Sequence, residues 1–372
     1  MFIFIFTKLP KGILEVLYLE NELNHIKNIV EKNYELGEVV KVERISGGYV
    51  NISYVIETSK GKYFLRRYRD TAKRSEVKFE HELIEHLINS GFNKTPQLYK
   101  TKTGKTYVAK FERKNAYKKL VFYAIFEFAK GEDKYTWYYP YCNPLELRDA
   151  AKTLAEYHIY VKDFKPKAKK KTVSLDKLIF NLRREFENLS RKADATKFCE
   201  LFLANKEKLK DKSMEVYKEL KTVDYENLPK MVIFGDFHLG NLKFKDNKVT
   251  AMYDFDWVKW DARAYDVAYA IYYTCGIWGE KGKNAIDVNK ALEFFKAYQE
   301  AFIEAKKENE ALSSREIEAL PVLMKAVNIF LIHWDISDFY SGVKNVEEYL
   351  KFLIHDLDLM MWLENNKIEF KV

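Results

Sequence analysis

Two acidic residues follow two short apolar runs in the middle of the chain, and their spacing suits phosphate chemistry. Asp236 comes after the run 232–234, and four residues separate it from Asn241. Asp254 follows the second run, 249–253. Phosphoryl transfer needs a carboxylate that orients and deprotonates a hydroxyl, together with an amide oxygen and a second carboxylate that hold Mg²⁺ against the phosphates. The pattern therefore predicts a catalytic loop followed by a metal-binding loop.

The segment 235–241, Gly-Asp-Phe-His-Leu-Gly-Asn, and the segment 253–256, Tyr-Asp-Phe-Asp, closely resemble the paired motifs of the aminoglycoside phosphotransferase and choline kinase superfamily. Within it, the branch of type II homoserine kinases and spore-coat kinase-like proteins is the most similar, because the downstream segment 263–269 also fits that branch. The alternative is that Asp236 and Asn241 only cap a turn, as such residues often do.

The resemblance implies a bilobal protein-kinase-like fold of the α+β class. Residues 1–130 would form an N-terminal, nucleotide-binding lobe with an antiparallel sheet and one main helix. Residues 131–372 would form a mostly helical C-terminal lobe with the catalytic and metal loops. A chain of 372 residues also exceeds what one ordinary core holds, which favours two lobes independently.

The resemblance also assigns a reaction and roles to the motif residues. It implies a kinase that transfers the γ-phosphate of ATP or GTP to a hydroxyl of a small molecule: an amino alcohol, an amino acid such as homoserine, or a sugar. Asp236 would be the general base. Asn241 and Asp254 would bind Mg²⁺, which prefers oxygen ligands. Asp256 either assists the metal or the substrate or is a solvated loop acid.

A glycine pair lies between two alternating, strand-like runs, 39–44 and 50–57. Such a pair is first of all a hairpin turn. Its small residues would also let backbone N–H groups approach phosphates. Since the family has a similar Ser-Gly-Gly-x-x-Asn loop here, the resemblance implies nucleotide contacts from Ser46, Gly47, Gly48 and Asn51.

The next strand-like run, 62–68, contains the segment Phe64-Leu65-Arg66. By alignment with the family's aromatic-Leu-Lys pattern, Arg66 would contact the phosphates and Phe64 would lie against the adenine. Arginine replaces the commoner lysine here, and its planar fork is not equivalent to an ammonium group. Arg67, on the opposite face, is the alternative. Glu80 has the spacing of the helix glutamate that pairs with the strand cation in the family.

A later apolar strand ends at 125–131, which resembles the connection between the two lobes. There the backbone groups of Glu127 and Ala129 would bond the edge of the adenine. Such contacts leave the identity of the side chains unconstrained.

One position departs from the family pattern. Phe234 stands where the family usually has a histidine, two positions before the catalytic aspartate. Phenylalanine can replace the packing of that histidine but not its hydrogen bond, and His238 offers partial compensation. Phe234 and Arg66 therefore favour a second hypothesis, a kinase-like binding or structural protein with weak or no catalysis.

Three further features of the C-terminal part have mainly structural interpretations. His158 is predicted to be a hydrogen-bonded core histidine, and Arg263 and Asp266 are predicted to form an ion pair behind the loop. An aromatic and acidic set would suit a cationic or hydroxylated molecule, although aromatic residues at helical spacing more often belong to a core. Its members are Trp278, His333, Trp334, Asp335 and Asp338.

Composition argues against a disulfide-rich, zinc-binding, nucleic-acid-binding or membrane protein. Hydrophobic residues make up 47% and charged residues 32%, which is typical of soluble globular chains. The net charge is +8, and the basic run 165–171 is interpreted as a solvated loop rather than a nucleic-acid or membrane patch. Three scattered cysteines form neither a disulfide framework nor a zinc motif, which favours the reducing cytoplasm. We expect no transmembrane helix, because the sequence has no run of about eighteen apolar residues, and the run 1–6 is too short for a signal segment or a membrane span.

Overall fold

A computed structural model of the chain describes residues 11–45, 50–114, 117–342 and 344–371. The chain divides into two compact units. Within the described ranges, the first contains the residues up to Asn89, Thr95–Lys130 and Pro166–Lys169. The second contains Ser90–Lys94, Gly131–Lys165 and the residues from Lys170 onward.

In the residues that the structure describes, the first unit consists of an antiparallel sheet and two helices. Its helices are α1 (Lys11–Asn33) and α2 (Arg74–Asn89). Its strands are β1 (Val39–Ile45), β2 (Ile52–Thr58), β3 (Gly61–Arg67), β4 (Leu98–Tyr99), β5 (Val108–Lys114) and β6 (Tyr117–Glu127). The sheet order is β1-β2-β3-β6-β4, and β5 also pairs with β6. The predicted antiparallel N-terminal sheet is thereby confirmed.

Alternation along β3 sorts its side chains between two environments. Successive side chains of a strand point to opposite faces. Tyr63 and Leu65 belong to a buried core with Ile26 and Ile29 of α1. The next side chain on the other face, Arg66, is buried and pairs with α2. The sheet thus separates a mainly hydrophobic core, packed on α1, from a face with a buried ion pair.

The basic run 165–171 is a loop, and its alternate lysines are exposed. Part of its backbone is nevertheless held in place within the first unit. The N–H groups of Lys167 and Ala168 donate to Glu82 Oε2 of α2, at 2.7 and 3.0 Å. The interpretation as a loop is confirmed, and the absence of a nucleic-acid partner stays a prediction.

The second unit is mostly helical. Its helices are α3 (Pro144–Val161), α4 (Leu175–Ser190), α5 (Lys197–Thr222), α6 (Arg263–Thr274), α7 (Val288–Glu304), α8 (Ser314–Phe339) and α9 (Val346–Asn365). Its described strands form three short antiparallel pairs. They are β7 (Lys230–Ile233) with β10 (Lys259–Ala262), β8 (Leu242–Lys245) with β9 (Lys248–Met252), and β11 (Gly276–Ile277) with β12 (Ala285–Ile286). Helix α3 packs on α7, and α8 packs on α6 and α9.

Helix α8 is the one element of the described residues that is long and apolar enough to cross a membrane by length and composition. In its most apolar stretch, 61% is buried inside the protein. The core helix of a soluble protein passes the same test. Because α8 packs against α6, α9, α5 and α4, its apolar composition is accounted for by helix packing.

The start of α8 is tied to the start of α6 by a buried ion pair. Arg263 Nε donates to Glu316 Oε1 at 2.7 Å, and Nη2 donates to Oε2 at 2.9 Å. Glu316 also accepts the N–H of Ser313 at 2.9 Å, which caps α8. The predicted ion pair between Arg263 and Asp266 is therefore wrong. A bidentate fork fits the carboxylate of Glu316, and Asp266 has other partners.

We expect Glu316→Gln to lower the free energy of unfolding by about 3–5 kcal/mol, because it leaves a buried guanidinium without its counter-charge. Urea unfolding at neutral pH measures this. The same substitution at Glu318, exposed on the same helix, is the matched control. Equal stability of the two variants would contradict a stabilising role for the pair.

The same pair predicts a pH dependence. Burial alone would raise the pKa of Glu316, but the Arg263 guanidinium and Ser313 hold it below the ordinary value of 4.5. Since the pKa is depressed in the folded state, this contribution is present above pH 4.5 and is lost as the pH falls through the folded-state value. The Glu316→Gln variant should lack this part of the acid destabilisation.

Candidate active site

The predicted catalytic and metal loops both lie in the second unit, next to the β8–β9 hairpin. The register of the hairpin pairs Leu242 with Met252. It therefore brings the residues just outside these strands together: the N–H of Tyr253 donates to Asn241 O at 3.1 Å. Tyr253 Oη also donates to Gly240 O at 2.7 Å. The hairpin thus brings the predicted metal ligands Asn241 and Asp254 close to each other.

Asp236 is held by two side chains in a half-buried position. Tyr269 Oη, from α6, donates to Asp236 Oδ1 at 3.0 Å. Asn241 Nδ2 donates to the backbone O and to Oδ2 of Asp236, at 2.9 and 3.2 Å. These bonds fix the carboxylate in one orientation. They use the NH₂ group of Asn241, so the amide oxygen is the atom that can bind a cation.

The donor set of the two loops fits Mg²⁺. Burial raises the pKa of Asp236 well above its usual range, and the charges of Asp254 and Asp256 raise it further. A divalent cation stabilises such a group of like charges. Within the described ranges, no three His, Cys, Asp or Glu side chains are grouped so that they could hold a metal alone. The two predicted ligands, Asn241 and Asp254, together with phosphates and waters, would match the way Mg²⁺ is usually bound.

The start of the catalytic loop is anchored by Asp266 of α6, which lies at the centre of a buried network. Its Oδ2 accepts the N–H of Phe234 at 2.7 Å, and its Oδ1 accepts the N–H of Gly235 at 2.8 Å. His158 Nε2 lies 3.1 Å from Oδ2, and His158 Nδ1 lies 2.7 Å from Tyr298 Oη. The prediction of a hydrogen-bonded core histidine is confirmed. The role of Asp266 was missed, because backbone N–H groups leave no trace in the sequence.

Phe234, at the position that departs from the family pattern, packs among aromatic rings. It is fully buried, and its ring lies edge-on to Phe255 of the metal loop, with 5.2 Å between the ring centroids. His238 does not supply a hydrogen bond in its place. Its Nε2 lies 3.7 Å from Asp236 Oδ2, and burial lowers its pKa to about 3, so the ring is neutral. Packing, not hydrogen bonding, therefore joins this position to the metal loop.

Gly235 adopts a conformation that other residues avoid, with φ +77°. A Cβ at this position would lie 2.7 Å from the backbone oxygen of Trp257, which cannot rotate away. We expect Gly235→Ala to lower stability by more than the about 1–2 kcal/mol of the left-handed conformation alone, and to lower turnover as the loops separate. Thermal unfolding and an activity assay measure both effects.

Gly282 is the matched control for this prediction. It has a similar φ of +82°, but a Cβ there would meet nothing within 4 Å. Gly282→Ala therefore incurs the backbone strain without the contact. If the two variants lost the same stability, the close approach of the two loops at Gly235 would have no energetic importance.

In the first unit, the structure brings Arg66 and Glu80 together. Arg66 Nη1 donates to Glu80 Oε1 at 3.1 Å, and both side chains are at least 93% buried. Tyr68 Oη donates to Glu80 Oε2 at 2.9 Å. Arg67, the alternative, is engaged elsewhere: its Nη2 donates to Asp70 and Glu112. Alternation along β3 therefore places Arg66, not Arg67, beside the helix glutamate.

The other predicted nucleotide contacts of the first unit are only partly described. Ser46, Gly47 and Gly48 lie outside the described residues. Phe64 is half-buried and edge-on to Phe126, with 6.3 Å between ring centroids. Asn51 Oδ1 accepts the N–H of Arg69 at 2.9 Å, so this oxygen orders the chain after β3.

At the end of β6, part of the backbone of Glu127 is already engaged. Its N–H donates to Gln97 O at 2.8 Å. Of its two backbone groups, only the carbonyl could therefore bond an adenine. Ala129 is half-buried in the irregular segment that follows β6.

A cluster of five aromatic residues in seven positions, 135–141, was not assigned any role from the sequence. Trp137 lies against the catalytic loop, because a Cβ on Gly240 would be 3.2 Å from its backbone nitrogen. Its ring also contacts Trp278, Tyr273 and Phe352, at centroid distances of 5.6, 6.2 and 4.3 Å. The density of aromatic residues in 135–141 was the signal that could have identified this cluster from the sequence.

Comparisons with known proteins identify the family of the chain. The model of the phosphotransferase enzyme family (APH) matches residues 41–307. The chain belongs to the phosphotransferase enzyme family. The match and the names of its relatives confirm the prediction of a small-molecule kinase.

The alignments with relatives, in sequence and in structure, cover most of this phosphotransferase chain. A homoserine kinase of Bradyrhizobium sp. (strain ORS 278) is 25% identical over 298 residues, 80% of each chain. The structure of a microcompartment-associated aminopropanol kinase has a TM-score of 0.68 at 13% identity, covering 92% of this chain and 97% of that one. The amicoumacin kinase hAmiN in complex with AMP-PNP, Ca²⁺ and Ami has a TM-score of 0.64 at 13% identity, covering 96% and 98%. These structural likenesses confirm the predicted kinase-like α+β fold.

Proposed function

We propose that this phosphotransferase moves the γ-phosphate of ATP to a hydroxyl group of a small molecule, with Asp236 as the general base. The observation that supports this most directly is the fixed carboxylate of Asp236, which Tyr269 and Asn241 both contact. Asn241 and Asp254 would hold Mg²⁺ through their oxygens. The relatives named as homoserine and aminopropanol kinases support a small acceptor that carries a hydroxyl group.

The reaction needs one proton transfer and one exchange of bonds. The acceptor oxygen forms a bond to the γ-phosphorus while the bond from that phosphorus to the β,γ-bridging oxygen breaks, and ADP leaves. Asp236 accepts the proton of the hydroxyl as the new bond forms. A bound Mg²⁺ would neutralise charge on the phosphate oxygens. Asp266 fixes the backbone at Phe234 and Gly235, and so keeps Asp236 in place for the transfer.

We assign nucleotide binding to the first unit, the proposed N-terminal lobe of residues 1–130. Arg66, oriented by Glu80, would contact the phosphates, and Phe64 would lie against the adenine. The carbonyl of Glu127 and the backbone of Ala129 would bond its edge. Asn51 would act indirectly, by ordering the chain at Arg69, and the loop of Ser46, Gly47 and Gly48 keeps its proposed phosphate contacts.

The proposed C-terminal lobe, residues 131–372, would provide the catalytic loop, the metal loop and the acceptor site.

The three cysteines of the chain are free and buried, which supports the proposal that the enzyme works in the reducing cytoplasm.

The proposal is tested by ADP release with Mg–ATP, with and without a panel of amino alcohols, amino acids and sugars. Acceptor-dependent release that disappears when Mg²⁺ is chelated would support it. The competing hypothesis is a kinase-like binding protein, which Phe234 favours because it removes the histidine hydrogen bond of the family pattern. Binding of Mg–ATP without phosphorylation of any acceptor would favour that hypothesis.

A further inference from the structure

A chain of four hydrogen bonds lies buried behind Arg66 in the first unit. Arg66 Nη1 donates to Glu80 Oε1 at 3.1 Å, and Tyr68 Oη lies 2.9 Å from Glu80 Oε2. Tyr68 Oη is also 2.9 Å from His81 Nε2, and His81 Nδ1 is 2.8 Å from Thr106 Oγ1. The first four of these residues are each at least 94% buried. The chain thus connects the end of β3 to α2 and to the segment before β5.

The direction of these hydrogen bonds follows from the chemistry of the groups. A carboxylate only accepts, so the proton of the Tyr68 hydroxyl points to Glu80. Burial, and then the charge of Arg66, lower the pKa of His81 to about 3, so its ring is neutral and carries one N–H. That N–H is at Nε2, because the oxygen of Tyr68 is left to accept. Nδ1 in turn accepts from the hydroxyl of Thr106.

This arrangement holds the carboxylate of Glu80 from both sides. One oxygen accepts from Arg66 and the other accepts from Tyr68. A hydrogen bond to each oxygen opposes rotation of the carboxylate about its last bond. The donors of a guanidinium are fixed in one plane, so its orientation depends on that of its partner. The hydroxyl of Tyr68 therefore acts on Arg66 through Glu80.

Aromatic rings flank the guanidinium as well. Arg66 Cζ lies 5.9 Å from the ring centroid of Tyr68 and 5.7 Å from that of Phe126. The faces of such rings attract a guanidinium. Tyr68 thus contacts Arg66 with its ring and Glu80 with its hydroxyl. Of these two contacts, Tyr68→Phe removes the second and keeps the first.

We propose that Tyr68 is a positioning residue for nucleotide binding, whose hydroxyl holds Glu80 so that Arg66 meets the phosphates in one orientation. The inference rests on the proposed function for the contact between Arg66 and the phosphates. An ammonium group is a compact charge with rotatable donors, whereas the planar fork of arginine needs a carboxylate at a fixed angle. Tyr68 thereby accounts for how an arginine can serve at position 66, where lysine is commoner in the family.

The sheet offers a matched control on the side of Arg67. Arg67 lies across from Tyr123 in the pairing of β3 with β6. Tyr123 Oη donates to Glu112 Oε1, and Arg67 Nη2 donates to Glu112 Oε2 at 2.9 Å. Tyr123 is 99% buried. Tyr123→Phe therefore removes a buried hydroxyl from a second tyrosine–glutamate–arginine network, one that the proposed nucleotide site does not use.

The test is calorimetric binding of Mg–ADP to the full-length wild type, Tyr68→Phe and Tyr123→Phe. Losing a hydrogen bond to a charged group should weaken binding about 10-fold in Tyr68→Phe. Tyr123→Phe should bind Mg–ADP like the wild type. Both variants should unfold at a lower temperature, because each leaves a carboxylate short of one hydrogen bond. An unchanged affinity in Tyr68→Phe, or an equal loss of affinity in the two variants, would overturn the proposal.

A double-mutant cycle with Arg66→Lys separates positioning from general damage to the unit. Since an ammonium group needs no fixed plane, Tyr68→Phe should weaken Mg–ADP binding much less in the Arg66→Lys background than in the wild type. An equal loss in both backgrounds would show that Tyr68 does not act through Arg66. If the wild type bound Mg–ADP but phosphorylated no acceptor, the proposed reaction would be overturned and this inference would stand.

Discussion

Replacing Asp236 with asparagine is expected to abolish acceptor phosphorylation while Mg–ATP binding persists. The variant removes the atom that accepts the hydroxyl proton, and general-base catalysis of this kind is worth about 10²–10⁴-fold in rate. An asparagine oxygen can still accept from Tyr269, and Asn241 Nδ2 can still donate to the backbone O of residue 236, so the loop should keep its shape. Rates of ADP release with a productive acceptor, and melting temperatures with Mg–ATP, measure the two effects separately.

Asp246 provides the control for this substitution. It is an exposed acid in the β8–β9 turn, and its φ of +51° is one that asparagine adopts readily. Asp246→Asn should keep the wild-type rate. Turnover in Asp236→Asn close to that of Asp246→Asn would remove the base assignment, and the carboxylate would then have to act only through the structure of the loop.

Replacing Asp254 with asparagine is expected to eliminate the Mg²⁺-dependent part of the stabilisation by ATP. A ligand that binds only the folded state, at a hundred times its dissociation constant, stabilises that state by about 2.7 kcal/mol. Asp254 has φ +67°, and asparagine is among the residues that tolerate this conformation best. The variant should therefore fold, and without ligand it should be at least as stable, because it relieves the repulsion that acts on Asp236.

Melting temperatures with ATP alone, Mg²⁺ alone and both together measure this effect. The wild type should respond to the combination more than to either component, and Asp254→Asn should not. The Mg²⁺-dependent shift in melting temperature of Asp256→Asn tests whether that acid assists the metal or is only a loop acid. A full Mg²⁺-dependent shift in Asp254→Asn would show that the metal, if it binds, is held by other residues.

The side chain of Phe234 is held by packing rather than by a hydrogen bond. A histidine there would make a hydrogen bond, whereas Phe234 packs on Phe255 and Tyr157. Its backbone N–H remains bound to Asp266. The geometry of Asp236 therefore does not depend on the side chain at this position, and the enzyme hypothesis does not require a histidine there.

The sequence by itself determined the features that depend on short-range spacing. The separation of Asp236 and Asn241, with the hairpin before Asp254, was enough to predict that these side chains lie close together. Alternation along one strand put Arg66 and Arg67 on opposite faces, whereas the pairing of Arg66 with Glu80 was implied by the family resemblance. In the loop, the hairpin and the strand, local backbone geometry relates the residues, so that spacing predicts which ones lie together or on one face.

The tertiary structure decided the partners that come from distant segments. Buried polar groups must find partners, but packing determines which ones: Arg263 pairs with Glu316, and Asp266 binds the backbone of the catalytic loop. Trp137, in the irregular segment before α3, likewise contacts Tyr273 of α6 and Phe352 of α9, which are far from it in the chain. No periodicity relates such segments, since only the packing of α6, α8 and α9 brings their side chains to one place.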